Sequence, residues 1–159
     1  QIPAGKANPT AVSQSRPQSI SAFRAAFILL LQQPSLAQSI ADLAQLRQLR
    51  QRGMQLFCQT VEKFQQQPQL NCAALLEQWR DQSEAKYLAQ LARTPILVPE
   101  EGVAVEFSAA VQRLRAALRQ QQIDDLLVKA QMQPLDPQDQ GRLQRLFQEQ
   151  SAVKQSEMV

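Results

Sequence analysis

The 159-residue sequence contains no histidine, so the commonest general base and the commonest metal ligand are both absent. This absence argues against most hydrolase and zinc-site classes. The sequence also has no Walker loop, no glycine-rich dinucleotide turn and no apolar run long enough to cross a bilayer. Two carboxylate pairs, at positions 100–101 and 124–125, do not converge on an identifiable pocket. We therefore predict no catalytic site, no metal and no cofactor.

Glycine is scarce, with only 4 residues, and β-branched residues never occur in runs. Leu, Ala, Gln and Arg dominate instead, and this composition predicts an all-α fold. The net charge of +3 is mild and by itself says little about nucleic acids. Cys58 and Cys72 could form a disulfide, but no signal peptide precedes them. The simpler interpretation is two small buried hydrophobes in a protein of the reducing cytoplasm.

The chain begins QIPAGKANPT rather than with Met, and we interpret it as a piece of a larger protein. Residues 1–16 mix Pro, Ser, Asn and Gly without apolar periodicity, so they are predicted to be a flexible linker. Pro17 then resembles the first turn of a helix.

The segment 21–36 is expected to organise the rest of the fold. Between Phe23 and Leu31 only Arg24 is polar, so a helix here would be apolar on nearly every side and would need other helices around it. Short helices are predicted after Pro34, at 43–52 and, with an amphipathic pattern, from Met54 to Pro68. Two more are predicted after Asn71 and Ser83, each of which is expected to cap the helix that follows it. An extended crossing is predicted between Pro95 and Pro99. Together residues 17–121 are predicted to form a compact multi-helix bundle.

In the last third of the sequence, one long helix is predicted from Glu100 to Gln131. Its apolar stripe stops at the glutamines 120–122 and resumes at Ile123, which suggests two packing partners along one rod. Asp136 and Pro137 are good starting residues for a closing helix. Residues 122–159 are therefore predicted to form a C-terminal antiparallel hairpin, too small to be stable alone, whose Arg-edged apolar side suits protein binding.

The basic residues leave alternatives open. Two clusters could touch phosphates in a helical nucleic-acid-binding module, or could simply be solvated surface. Arg24 could likewise be a snorkelling rim residue or an anchor for an anion. The clusters consist of Arg47, Arg50 and Arg52, and of Arg113, Arg115 and Arg119.

Several segments in order resemble the C-terminal helicase-binding domain of bacterial DNA primase: FRAAFILLLQQPSLA, GMQLFCQTVEKFQQQPQL, LLEQWR and the region from Phe107 to Lys154. The resemblance covers roughly residues 17–155. It implies a helical bundle followed by a hairpin that docks on the hexameric replicative helicase, recruits primase to the fork and modulates primer synthesis. It also implies that this part is non-catalytic and carries no sequence-specific nucleic-acid site, with the polymerase upstream. Its implied helicase-binding residues are Leu126, Leu127, Arg142, Arg145, Leu146, Phe147, Gln150 and Lys154.

The resemblance further implies that the bundle captures the acidic C-terminal tail of single-stranded DNA-binding protein. The positions that correspond to this site are Phe23, Arg24, Phe27 and Leu91. One departure concerns Ser19, which stands where the family can carry a second basic residue, with Arg16 as the nearest substitute.

Overall fold

The structure, a computed structural model, describes the backbone of residues 21–95 and 98–158 and the side chains of these residues up to 155. The expected linker at 1–16, the helix start at Pro17 and most of the crossing before Pro99 lie outside the described residues. The all-α prediction is confirmed: the described part of the chain has no strand. Its α-helices are α1 (Ala22–Gln32), α2 (Leu43–Leu46), α3 (Met54–Gln66), α4 (Cys72–Gln78), α5 (Glu84–Ala92), α6 (Val103–Met132) and α7 (Pro137–Met158).

Helix α1 lies at the centre of the bundle, as its apolar sequence predicts. Ser21 caps it by accepting the Arg24 N–H at 3.2 Å. Seven of its eleven residues are buried, and it packs against α6 and α5. After Gln33, a 3-10 segment (Pro34–Ser39) begins with the proline and buries Leu36.

Helices α3 and α4 confirm the predicted amphipathic patterns. The predicted inner face of α3 is buried throughout, and Asn71 caps α4 by accepting the Ala74 N–H at 2.8 Å. Ser83 precedes α5 as expected, but its side chain makes no capping hydrogen bond because its own backbone is already helical. The cap prediction at Ser83 was therefore wrong in its chemistry.

Gly53 starts α3 in a left-handed conformation with φ of 86°. A Cβ atom built there would lie 3.3 Å from the Phe23 ring. Only glycine combines this backbone angle with such a close approach at low cost. The turn before α3 is thereby pressed against the start of α1.

The long helix was also predicted correctly. A 3-10 turn (Glu100–Gly102) leads directly into α6, which runs for 30 residues, and Asp136 caps α7 by accepting the Asp139 N–H at 2.7 Å. The first half of α6 buries Phe107, Val111, Leu114 and Leu118 in the core of the bundle.

The second half of α6 belongs to a separate, small core. There Ile123 and Leu126 pack with Leu146 of α7 and with half-buried Leu143. Contacts between residues 120 and 150 and between 129 and 139 show that α7 returns antiparallel to α6. The predicted hairpin is thus observed, and the two cores are separated along α6 by residues 119–122.

Candidate interaction surfaces

The hairpin carries most of the exposed large apolar side chains in the described part of the chain. Five of the seven lie on it, and only Tyr87 and Val105 lie on the bundle. Met132 is 83% exposed and Phe147 is 43% exposed. The hairpin set is Leu127, Val128, Met132, Phe147 and Val153. Solvent-exposed apolar residues concentrated on one small element indicate a surface that another molecule covers.

Phe147 lines a shallow concavity on α7. The concavity has a volume of about 470 Å³. Its remaining lining is polar or small: Gln144, Gln148, Ser151, Ala152 and Gln155. An aromatic side chain surrounded by uncharged polar groups resembles the anchor and rim of a protein interface.

The structure divides the predicted helicase-binding residues into three groups, which are buried, half-buried and accessible. Leu126 and Leu146 are buried in the hairpin's own core, so they join the two helices and are not available for direct contact. Gln150 is half-buried and donates a hydrogen bond to Gln120 at 2.7 Å. The accessible members are Leu127, Arg142, Arg145, Phe147 and Lys154.

Sequence reasoning missed three exposed apolar residues of the hairpin: Val128, Met132 and Val153. A signal for the first two was present. Val128 and Met132 are four positions apart and lie off the inner stripe of α6, so they form a second apolar strip facing solvent. An apolar pair outside the buried stripe was the clue to this surface.

A second candidate site is a cleft of about 870 Å³ on the bundle. It opens between the start of α1, the turn before α3 and the start of α5. Its apolar lining comes from Phe23, Leu56 and Tyr87, and its cationic groups are Arg24 and Arg52. Glu84 contributes the opposing charge at the edge. Two guanidinium groups against one carboxylate leave the cleft suited to an acidic ligand with an apolar part.

The predicted tail-binding residues are only partly at this cleft. Phe23 and Arg24 line it, whereas Phe27 and Leu91 are completely buried in the core and cannot touch a ligand. Phe27 instead supports the cleft through edge-to-face contacts with Phe23, Phe57 and Tyr87, at ring-centroid distances of 5.3–6.2 Å.

Arg52 was missed as a cleft residue because the sequence shows it only as one of three neighbouring arginines. The left-handed turn at Gly53 is what brings its segment to the start of α1. Arg52 makes no ion pair within the described residues, and neither does Arg24.

The arginine clusters are mostly neutralised, which weakens the nucleic-acid alternative. Four of the six pair with carboxylates: Arg47 with Glu62, Arg50 with Asp125, Arg115 with Asp42 and Arg119 with Glu149. An arginine that is paired with a carboxylate adds less positive potential to the surface than an unpaired one, and phosphate binding depends on that potential. Of these six arginines, only Arg52 and Arg113 lack a carboxylate partner within the described residues.

The structure reveals no metal centre in its described part, where no group of three or more Cys, Asp or Glu side chains converges. Cys58 is buried and Cys72 partly so, both as free thiols, and burial raises the pKa of each. Among the described helices, none combines the length and hydrophobicity needed for a transmembrane span.

Comparison with known proteins gives a consistent result. The family model described as DNA primase DnaG DnaB-binding matches residues 23–146. DNA primase of Pasteurella multocida (strain Pm70) is 31% identical over 119 residues, which is 75% of this chain and 20% of that protein. The chain thus matches about a fifth of the length of this relative. The DnaG primase C-terminal domain from Vibrio cholerae has a similar structure, with a TM-score of 0.69 and 31% identity over 80% of this chain and 96% of that one.

Proposed function

Because the chain belongs to the DNA primase DnaG DnaB-binding family, we propose that its hairpin binds the replicative DNA helicase. The chain itself is a non-catalytic domain. The observation that carries the proposal is the concentration of exposed apolar side chains on α6 and α7, outside the small hairpin core. In this role the domain recruits a primase to the replication fork in the bacterial cytoplasm and modulates primer synthesis there.

Phe147 is the proposed anchor of the contact, supported by Leu127, Val128 and Met132. Arg142, Arg145 and Lys154 are exposed and supply a basic rim on α7. Aromatic and arginine side chains contribute most to binding energy when a partner excludes water from them. Leu126 and Leu146 contribute indirectly, because they pack α6 against α7 and so hold the exposed residues in place.

The test is a titration of the purified chain against the hexameric replicative helicase. Phe147→Ala should raise the Kd by roughly 30-fold, as expected for loss of an interface anchor. Val105→Ala is the matched control, since Val105 is an exposed apolar residue on the bundle half of α6. An unchanged Kd for Phe147→Ala, or an equal loss for Val105→Ala, contradicts the assignment.

We also propose that the cleft on the bundle binds the acidic C-terminal tail of single-stranded DNA-binding protein. Its paired guanidinium groups fit carboxylates, and its Phe23, Leu56 and Tyr87 lining fits an apolar terminal residue. Arg52 takes the place of the basic residue that Ser19 does not supply. This arrangement differs from the site predicted from the sequence, because Phe27 and Leu91 are buried in the core and do not line the cleft.

A labelled tail peptide provides the test, by fluorescence anisotropy at low and high salt. Loss of a charge-assisted hydrogen bond costs about 1.5–3 kcal/mol, so Arg24→Ala or Arg52→Ala should weaken binding by roughly tenfold or more. Glu84→Gln should tighten it, because the variant removes the opposing carboxylate. Arg113→Ala, which removes an exposed arginine outside the cleft, should have no effect. If Arg113→Ala weakened peptide binding equally, the binding would be a nonspecific effect of net positive charge and the cleft would not be the site.

A further inference from the structure

The direction of the hairpin relative to the bundle is not set by apolar packing. The bundle core ends along α6 at Leu118 and the hairpin core begins at Ile123. The residues between them, 119–122, are Arg and three Gln. Helix α6 is continuous through this turn, but the turn itself contributes no side chain to either apolar core. The direction of the hairpin therefore depends on the stiffness of α6 and on the polar contacts made at this turn.

The polar contacts to the bundle are a group of four hydrogen bonds, which we call the clasp. The Gln121 side-chain amide donates to the Gln48 carbonyl oxygen at 2.8 Å and accepts the Arg50 backbone N–H at 2.7 Å. The Arg50 guanidinium donates twice to the Asp125 carboxylate, at 2.7 and 3.1 Å. Gln121 and Asp125 are one turn apart, so both project from the same side of α6.

The same turn of α6 is bonded to α7. The Gln120 side-chain oxygen accepts from Gln150 of α7 at 2.7 Å, and Arg119 lies 3.6 Å from Glu149. The clasp holds one side of the turn to the bundle, and Gln120 holds another side to α7. The polar interruption of the apolar stripe on α6 is therefore the place where α6, α7 and the loop 48–50 are bonded together.

We propose that Gln121, Arg50 and Asp125 are positioning residues that fix the angle at which the hairpin is presented to a partner. The clasp bonds the loop 48–50 to the first turn of α6 that has left the bundle core. Its ion pair is largely exposed, so salt screens it and the angle is adjustable. Removing the clasp should leave both cores intact but broaden the range of hairpin directions.

The experiment measures the distance between bundle and hairpin in the chain without any partner, so its outcome is independent of helicase binding. Spin labels are placed by Gln78→Cys on α4 and Gln148→Cys on α7, two exposed positions. The doubly labelled chain also carries Cys72→Ser, which removes the partly exposed native thiol. The other native thiol, Cys58, is fully buried and does not react with the label during a short incubation. Double electron–electron resonance then gives the distance distribution.

Arg50→Ala and Gln121→Ala should each broaden the distribution at low salt, and 1 M salt should broaden that of the parent. The charge-swapped pair Arg50→Asp with Asp125→Arg should narrow it again, which a merely disrupted fold could not do. Arg47→Ala is the matched control, because it breaks an exposed ion pair with Glu62 that lies wholly within the bundle. An unchanged distribution in both clasp variants, or equal broadening by Arg47→Ala, overturns the proposal.

Discussion

The bundle and the hairpin share one helix, yet they are stabilised differently. Among the described residues, 27 buried side chains form the core of the bundle and three form that of the hairpin. The first half of α6 is held by apolar burial in the bundle, whereas the second half depends on a small cluster of one isoleucine and three leucines and on polar contacts. The difference shows how one helix can belong both to a rigid bundle and to a hairpin whose direction is adjustable. The four predictions below test this contrast.

The largest expected effect is on the bundle core. Phe27 is completely buried among three aromatic rings, so Phe27→Ala removes a large side chain and leaves a cavity. We expect the free energy of unfolding to fall by about 3–5 kcal/mol, measured by chemical denaturation. A loss below about 1 kcal/mol would mean that the centre of the bundle is loosely packed, and the contrast with the hairpin would disappear.

Two glycines should respond to the same substitution with opposite signs. Gly53→Ala should destabilise the bundle by about 1–3 kcal/mol, because φ is positive there and Phe23 lies close to the added methyl. Gly141 lies inside α7 with no atom within 4 Å of a built Cβ. Gly141→Ala should therefore stabilise α7 by about 0.5–1 kcal/mol through helix propensity.

Denaturation of the Gly53 variant reports on the bundle, and amide hydrogen exchange along α7 reports on the Gly141 variant. A neutral or stabilising Gly53→Ala would mean that the turn before α3 does not require its left-handed backbone. A destabilising Gly141→Ala would instead contradict the open surroundings of Gly141.

The third prediction compares two of the ion pairs that α6 makes, Arg115 with Asp42 and Asp125 with Arg50. Arg115 donates twice to the Asp42 carboxylate, at 2.7 and 2.8 Å, in a partly buried position. These hydrogen bonds lower the pKa of Asp42 below its ordinary value of 3.8. The lowered pKa means that the pair stabilises the fold above about pH 4, and that this contribution is lost as the pH falls through the folded-state value.

Asp42→Asn should accordingly reduce the free energy of unfolding by about 1 kcal/mol at pH 7, and the difference from the parent should shrink towards pH 2–3. Arg50 likewise lowers the pKa of Asp125, but that pair is exposed to solvent, so Asp125→Asn should change stability less. Urea denaturation of both variants at several pH values provides the measurement. A difference for Asp42→Asn that grows in acid would contradict the assigned direction of the pKa shift.

Much of the fold could be predicted from the sequence because burial has a simple period. The apolar run from Phe23 to Leu31 could only be a central helix, and the spacing in α3 and along α6 identified buried faces correctly. The stop of the α6 stripe at the glutamines correctly indicated two cores. The periodicity of apolar residues could not predict the hydrogen bonds made by the glutamines at this interruption. Gln121 bonds to a loop more than 70 residues away in the sequence, and such a contact leaves no local pattern.

The candidate sites were less predictable for a related reason. Leu126 and Leu146 have the same residue type and spacing as interface leucines, and only the packing of α7 shows that they bury each other. Arg52 reaches the cleft through the backbone angle of its neighbour Gly53, which no side-chain pattern encodes. The sequence indicated which elements carry the candidate surfaces, and the three-dimensional packing decides which of their side chains are accessible.

The smallest expected effect on stability is that of Phe147→Ala, which also connects the comparison of bundle and hairpin to helicase binding. Phe147→Ala is the same substitution as Phe27→Ala, but on the exposed side of α7. Since the side chain is 43% exposed and lies outside the hairpin core, its removal creates no enclosed cavity. We expect stability to stay within about 0.5 kcal/mol of the parent, as for most surface substitutions. Denaturation measured beside the helicase titration would then separate a residue kept for binding from one kept for folding, whereas a loss near that of Phe27→Ala would make Phe147 a structural residue.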